Sequence, residues 1–105
     1  MNKCNFLGKF IDKPAIEKHE NTFFTRFFLE VEEYRKDRDG NRKKRKDLLE
    51  FEAWDTAATA INKQAFKNDF MVVECVARKY GKEDTIFRIT SFKVFKNQTA
   101  GFNHE

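Results

Sequence analysis

Proline is almost missing from this chain: Pro14 stands alone among 105 residues, with only four glycines. No internal repeat or low-complexity tract interrupts it, so one domain is expected at this length. Cysteine is scarce as well. Cys4 and Cys75 sit in apolar surroundings, which predicts reduced, buried thiols of an intracellular protein and not a disulfide framework. No stretch approaches the roughly 20 apolar residues of a membrane span. Met1-Asn2-Lys3-Cys4-Asn5 is not followed by the apolar run and small-residue cleavage site of a secretory signal. Catalytic motifs are missing too: there is no Walker loop, no Gly-x-Ser-x-Gly and no Cys-x-x-Cys. His19 and His104 lack paired Cys or His at ligand spacing, so neither a metal nor any other cofactor is expected. Glu50 and Glu52 could imitate a nuclease carboxylate pair, but alternation on a wet strand face explains them more simply.

What is abundant is phenylalanine and locally concentrated charge. Phe occurs 13 times and aromatics make up 15% of the chain. A core this small does not easily hold every ring, which points to some being exposed for a reason. Net charge is +4, yet residues 35–46 (RKDRDGNRKKRK) carry 8 basic and 2 acidic side chains, a local +6. The other 93 residues carry 13 basic and 15 acidic side chains, or −2. Such a focus suits a polyanion.

Strands are predicted over 3–11, with Gly8 as a bulge or close-approach point, over 23–35 and over 46–54. Residues 12–22 read as a loop or short irregular hairpin. Asp39-Gly40-Asn41 is the strongest turn signal. Asp55 is a candidate N-cap for a helix over 56–67, where Ala58, Ile61 and Ala65 recur at helical spacing, and Asn68 is its candidate C-cap. Strands over 69–80 and 85–96 follow, joined by a tight turn at 81–84, and 97–105 form a polar tail. Three strands, a helix and two strands make an all-β domain with one short helix: a five-stranded OB-fold Greek-key barrel over 1–96.

Alternation sorts the strand faces. Leu49, Phe51 and Ala53 share one side of the third strand; Leu48, Glu50, Glu52 and Trp54 share the other, and the two glutamates mark that side as wet. Phe27, Leu29 and Val31 lie opposite Arg26, Phe28, Glu30, Glu32 and Tyr34. Met71, Val73, Cys75 and Ala77 lie opposite Glu74, Arg78 and Tyr80. Tyr34, Trp54 and Tyr80 thus end polar faces beside a cationic segment, and Phe28 shares one of those faces. Rings and cations together are what single-stranded nucleic acid requires: each base stacks on a ring and each phosphate seeks Lys or Arg. Arg35, Lys36, Arg42, Lys43, Lys44, Arg45 and Lys46 of the basic run are the candidate phosphate contacts, together with Arg26, Arg78 and Lys79. Two plainer readings of the run stand beside this one: a solvated hairpin tip that discourages edge aggregation, and a short nuclear-localisation pattern at 42–46.

These residues resemble bacterial single-stranded DNA-binding proteins. Met1-Asn2-Lys3, Phe6-Leu7-Gly8-Lys9-Phe10 and Asp12-Lys13-Pro14 resemble that family's opening. Phe27-Phe28-Leu29-Glu30-Val31 resembles its second strand, Lys36-Asp37-Arg38-Asp39-Gly40-Asn41 its hairpin tip, and Glu52-Ala53-Trp54-Asp55 its strand-to-helix junction. The resemblance covers about 1–95. It implies sequence-independent binding of single-stranded DNA, in replication, recombination or repair, through aromatics at four places. Tyr34, Leu48, Trp54 and Tyr80 fall at or near them, and Leu48 departs from the usual aromatic. It also implies a homo-oligomer, a dimer or tetramer, in the bacterial cytoplasm or a phage-infected host, with replication proteins as further partners and no membrane. The family's long acidic-tipped C-terminus is not matched by Gly101-Phe102-Asn103-His104-Glu105, which implies either a short form, as in many phage versions, or recruitment of partners by another route. The alternatives are an OB-fold RNA-binding or primosome accessory protein, and a structural adaptor that uses its aromatics at a protein interface.

Overall fold

Runs of aromatic and β-branched residues with a two-residue period favour strands, and the described residues form six of them. The computed structural model describes residues 2–82 and 84–97; the side chains of Tyr34, Arg35 and Tyr80 lie outside that description. In chain order the elements are β1 (Cys4–Phe10), β2 (Ile16–His19), β3 (Thr22–Lys36), β4 (Arg42–Trp54), α1 (Asp55–Gln64), β5 (Phe70–Tyr80) and β6 (Asp84–Phe95). Five strands close a ring in the order β1-β5-β6-β4-β3, and β3 pairs back to β1. All contacts in the ring are antiparallel except β4 against β6, which is parallel at Phe51↔Phe87 and Glu52↔Arg88. This is the OB barrel that the order of elements predicts. β2 is an addition to it: the segment read as a loop or irregular hairpin pairs with β3 from Ile16↔Thr25 to His19↔Thr22.

Alternation puts Phe10, Phe27, Leu29, Phe51, Met71, Val73 and Cys75 inside, all buried. Much of the phenylalanine is used here. Phe6, Phe51 and Phe87 meet edge-on or tilted, with ring centroids 5.0–5.8 Å apart. Such pairs add roughly 0.5–1.5 kcal/mol each beyond the area they bury. Helix α1 contributes Ala58 and Ile61 to the core, and Ala65 follows it inward. Gly8 is a point of close approach. A Cβ placed there would lie 2.7 Å from the Cβ of Leu29, at the register Gly8↔Val31 where β1 and β3 close the ring.

Three boundaries depart from expectation. The returning strand begins at Arg42 and not at 46, because the carboxylate of Asp37 accepts hydrogen bonds from the backbone N–H of Asp39 (3.0 Å) and Asn41 (2.9 Å). That tight turn, with Gly40 at φ +81°, lets the ladder run to Lys36↔Arg42. The helix ends at Gln64, three residues early. Lys13 Nζ donates to the carbonyls of Asn62 and Ala65, and Lys96 Nζ to that of Gln64, so lysines terminate it where Asn68 was expected to. Asp55 is not the N-cap. Trp54 occupies that position without a side-chain cap, and Asp55 sits at φ +55°. Residues 98–105 of the expected tail, including His104, lie outside the described residues.

Candidate nucleic-acid interface

The outer face of the β3–β4 sheet is set by alternation and by one register. Phe24 lies opposite Trp54, Arg26 opposite Glu52, Phe28 opposite Glu50 and Glu30 opposite Leu48. The rings of Phe24 and Trp54 stack at 5.1 Å with 27° between their planes. The Arg26 guanidinium lies 5.9 Å from the Phe24 centroid, which makes a cation–ring–ring series along one end of the face. Trp54 is half-buried, and its Nε1–H has no hydrogen-bond partner among the described residues. Phe28 and Leu48 are diagonal neighbours further along, 42% and 56% exposed.

Glu52 corrects the sequence-based expectation. It lies on the outer face as predicted, yet it is only 2% exposed and is not a solvated residue. Arg78 Nη1 from β5 and Arg88 Nε from β6 each donate to its Oε2 at 3.1 Å and cover it. The parallel β4–β6 pairing brings Arg88 beside Glu52.

Beyond Glu32 the β3–β4 pair continues as a two-stranded ribbon, since β1 reaches β3 only at residues 29–31. Outside the turn at 37–41 the basic run is therefore strand, and its cations alternate between two faces. Arg42, Lys44 and Lys46 share the face of Leu48 and Trp54, while Lys43 and Arg45 take the other; all five are exposed. Lys44 lies 3.1 Å from Glu32, Lys46 lies 3.6 Å from Glu30, and Arg45 lies 3.2 Å from Asp47. Surface pairs like these contribute only about 0–1 kcal/mol, so a phosphate can compete for the cations. Lys36 and Lys79 are exposed. Tyr34 and Tyr80 sit in β3 and β5 opposite Lys44 and Asp84, but their side chains, like that of Arg35, lie outside the described residues.

No family model and no curated protein matches the sequence. Solved structures do match the fold. A deletion mutant of the single-stranded DNA-binding protein from Thermus aquaticus superposes with a TM-score of 0.82 at 12% identity, over 93% of this chain and 52% of that one. This chain thus spans about half of the Thermus protein. The small single-stranded DNA-binding protein from Streptomyces coelicolor gives 0.72 at 16% identity, over 94% and 98% of the two chains. The SSB domain of a Synechococcus protein gives 0.69 at 16%, over 90% and 94%. The fold is that of single-stranded DNA-binding proteins.

On that fold, the structure brings Arg26, Phe28, Leu48, Trp54 and Arg78 onto one outer surface, and Arg42, Lys44 and Lys46 onto the same side of the ribbon. Sequence reasoning missed Phe24 and Arg88. Alternation marks Phe24 as outward, two positions before Arg26, but its meeting with Trp54 depends on the strand register. Arg88 is a harder case. A bulge between Glu74 and Cys75 shifts the β5–β6 pairing, and the neighbour that matters to Arg88 lies on a parallel strand distant in sequence. Among the described residues no three His, Cys, Asp or Glu side chains gather to hold a metal, and no helix is long and apolar enough to cross a membrane.

Proposed function

We propose that this chain, through a domain over 1–96, binds single-stranded DNA without regard to sequence, as a non-catalytic protein that protects strands exposed in replication, recombination or repair. One observation carries the reading. Rings (Phe24, Phe28, Trp54) and arginines (Arg26, Arg78, Arg88) share a single outer surface that runs into a basic ribbon. Bases stack on Trp54, Phe28, Tyr34 and Tyr80, with apolar contact at Leu48. Phosphates take Arg26, Arg78, Lys79 and the ribbon cations Arg35, Lys36, Arg42, Lys43, Lys44, Arg45 and Lys46. Base–ring stacking is worth about 1–3 kcal/mol per base and is blind to base identity, because every base has a π-face. The names of the structural neighbours support the same ligand.

The working form in this proposal is a homo-oligomer in the cytoplasm of a bacterium or a phage-infected host. Leu7, Phe70, Val72 and Phe95 are 37–58% exposed on the outer face of β1, β5 and β6. Among the described residues, the edge of β1 away from β5 is unpaired before Gly8. An apolar face beside an open strand edge suits a second copy of the same chain. The test of the function is a titration with a dT oligomer, with RNA of equal length as the control. Preference for the DNA supports the reading. Equal affinity for the RNA favours the RNA-binding or accessory alternative, and binding no tighter than charge alone gives favours the adaptor.

A further inference from the structure

Of the described carboxylates, only those of Glu52 and Asp69 are buried. Asp69 is accounted for by a turn that it holds together. Glu52 holds no turn. It stands on the outer face of β4, where an apolar residue would pack at less cost, because a buried ion pair is often no more stabilising than a well-packed apolar replacement. One carboxylate faces two guanidiniums there, so the cluster keeps a net positive charge. Its Oε2 takes a single N–H from each arginine, Nη1 of Arg78 and Nε of Arg88, both at 3.1 Å. A guanidinium has five N–H groups, which leaves most of each fork available. Both arginine side chains remain exposed, 42% for Arg78 and 44% for Arg88. Glu52 is two residues from Trp54 on the same face, about 7 Å along the strand.

We propose that Glu52, Arg78 and Arg88 form a phosphate-binding site in which the buried carboxylate holds two arginine forks in place for a phosphodiester group next to the base at Trp54. The site rests on the nucleic-acid reading above and deepens it. Glu52 is a positioning residue and does not touch the ligand. Its service is to fix two long cationic side chains before the strand arrives, so that less rotamer freedom is lost on binding.

The test exploits a reversal of sign. Glu52→Gln keeps the shape and removes a negative charge, so on net charge alone it should tighten binding to a polyanion. If Glu52 positions the arginines, binding should weaken despite the extra positive charge. The probe is a dT20 oligomer, read by anisotropy across a salt series, with thermal melting to establish that each variant is folded. We expect Glu52→Gln to bind about three- to tenfold more weakly, the scale of one charge-assisted contact loosened. Arg88→Gln, whose amide can still donate to the buried Glu52 carboxylate, should weaken binding and flatten the salt slope by about 0.7, the loss of one phosphate contact on a single strand. Folded Glu52→Gln that binds as tightly as the parent or more so overturns the site. Should Glu52→Gln fail to fold, an Arg88→Gln salt slope equal to the parent's overturns it instead. A parent protein that does not bind dT20 overturns the nucleic-acid reading as a whole, whereas normal parent binding with unchanged variants overturns this site alone.

Discussion

Asp69 shows how much one side chain can hold. It is 5% exposed. Burial alone would raise its pKa, but the backbone N–H of Asn97, the Lys96 ammonium and the backbone N–H of Phe66 outweigh burial and hold the carboxyl below its ordinary value of 3.8. Each of the three donors lies at 3.0 Å. The charged form is thus favoured in the folded state. Its contribution is present above about pH 4, where the unfolded carboxyl is also ionised, and is lost as pH falls through the lower folded value. Asp69→Asn should cost about 1–3 kcal/mol at neutral pH. Melting temperatures between pH 6 and pH 2 check this: the parent should lose stability more steeply than the variant below pH 4, and parallel curves would refute it. Little at this scale was legible in the sequence. Asp69 looked like the first residue of a strand, and Glu52 like one more solvated glutamate. Alternation reports which face a residue lies on; it does not report what folds over that face from other strands.

Elements were more readable, because their signals are local. The two-residue period located all five barrel strands, and turn chemistry located the β3–β4 hairpin. The errors lie where a side chain from elsewhere intervened. Lys13 and Lys96 end α1, and the Asp37 carboxylate extends β4 by tightening its turn. Gly8 was legible as a special position, though its partner was not. With 2.7 Å between a new Cβ and that of Leu29, Gly8→Ala must push β1 away from β3 at the seam of the barrel. Overpacking of this kind costs about 1–3 kcal/mol. Chemical denaturation should show a lowered midpoint with an unchanged slope, and a variant as stable as its parent would mean that the seam gives way easily.

For the molecule as a whole, the closed barrel separates two kinds of surface. Rings and arginines occupy the outer face of β3 and β4 and the adjoining ends of β5 and β6. Leu7, Phe70, Val72 and Phe95 occupy the outer face of β1, β5 and β6. If the second surface joins copies of the chain, Leu7→Glu should return the protein to a monomer of 12.5 kDa in sedimentation that still melts cooperatively, at a temperature that no longer depends on protein concentration. A parent protein that is already monomeric would refute that arrangement. The first surface carries the central claim, and the chain supplies its own probe, since Trp54 is the only tryptophan. Titration with oligo(dT), followed by tryptophan emission, should give strong quenching that reverses as salt is added, while Trp54→Ala should stay folded and bind about 1–3 kcal/mol more weakly. Emission that stays unchanged at saturating DNA would contradict the account.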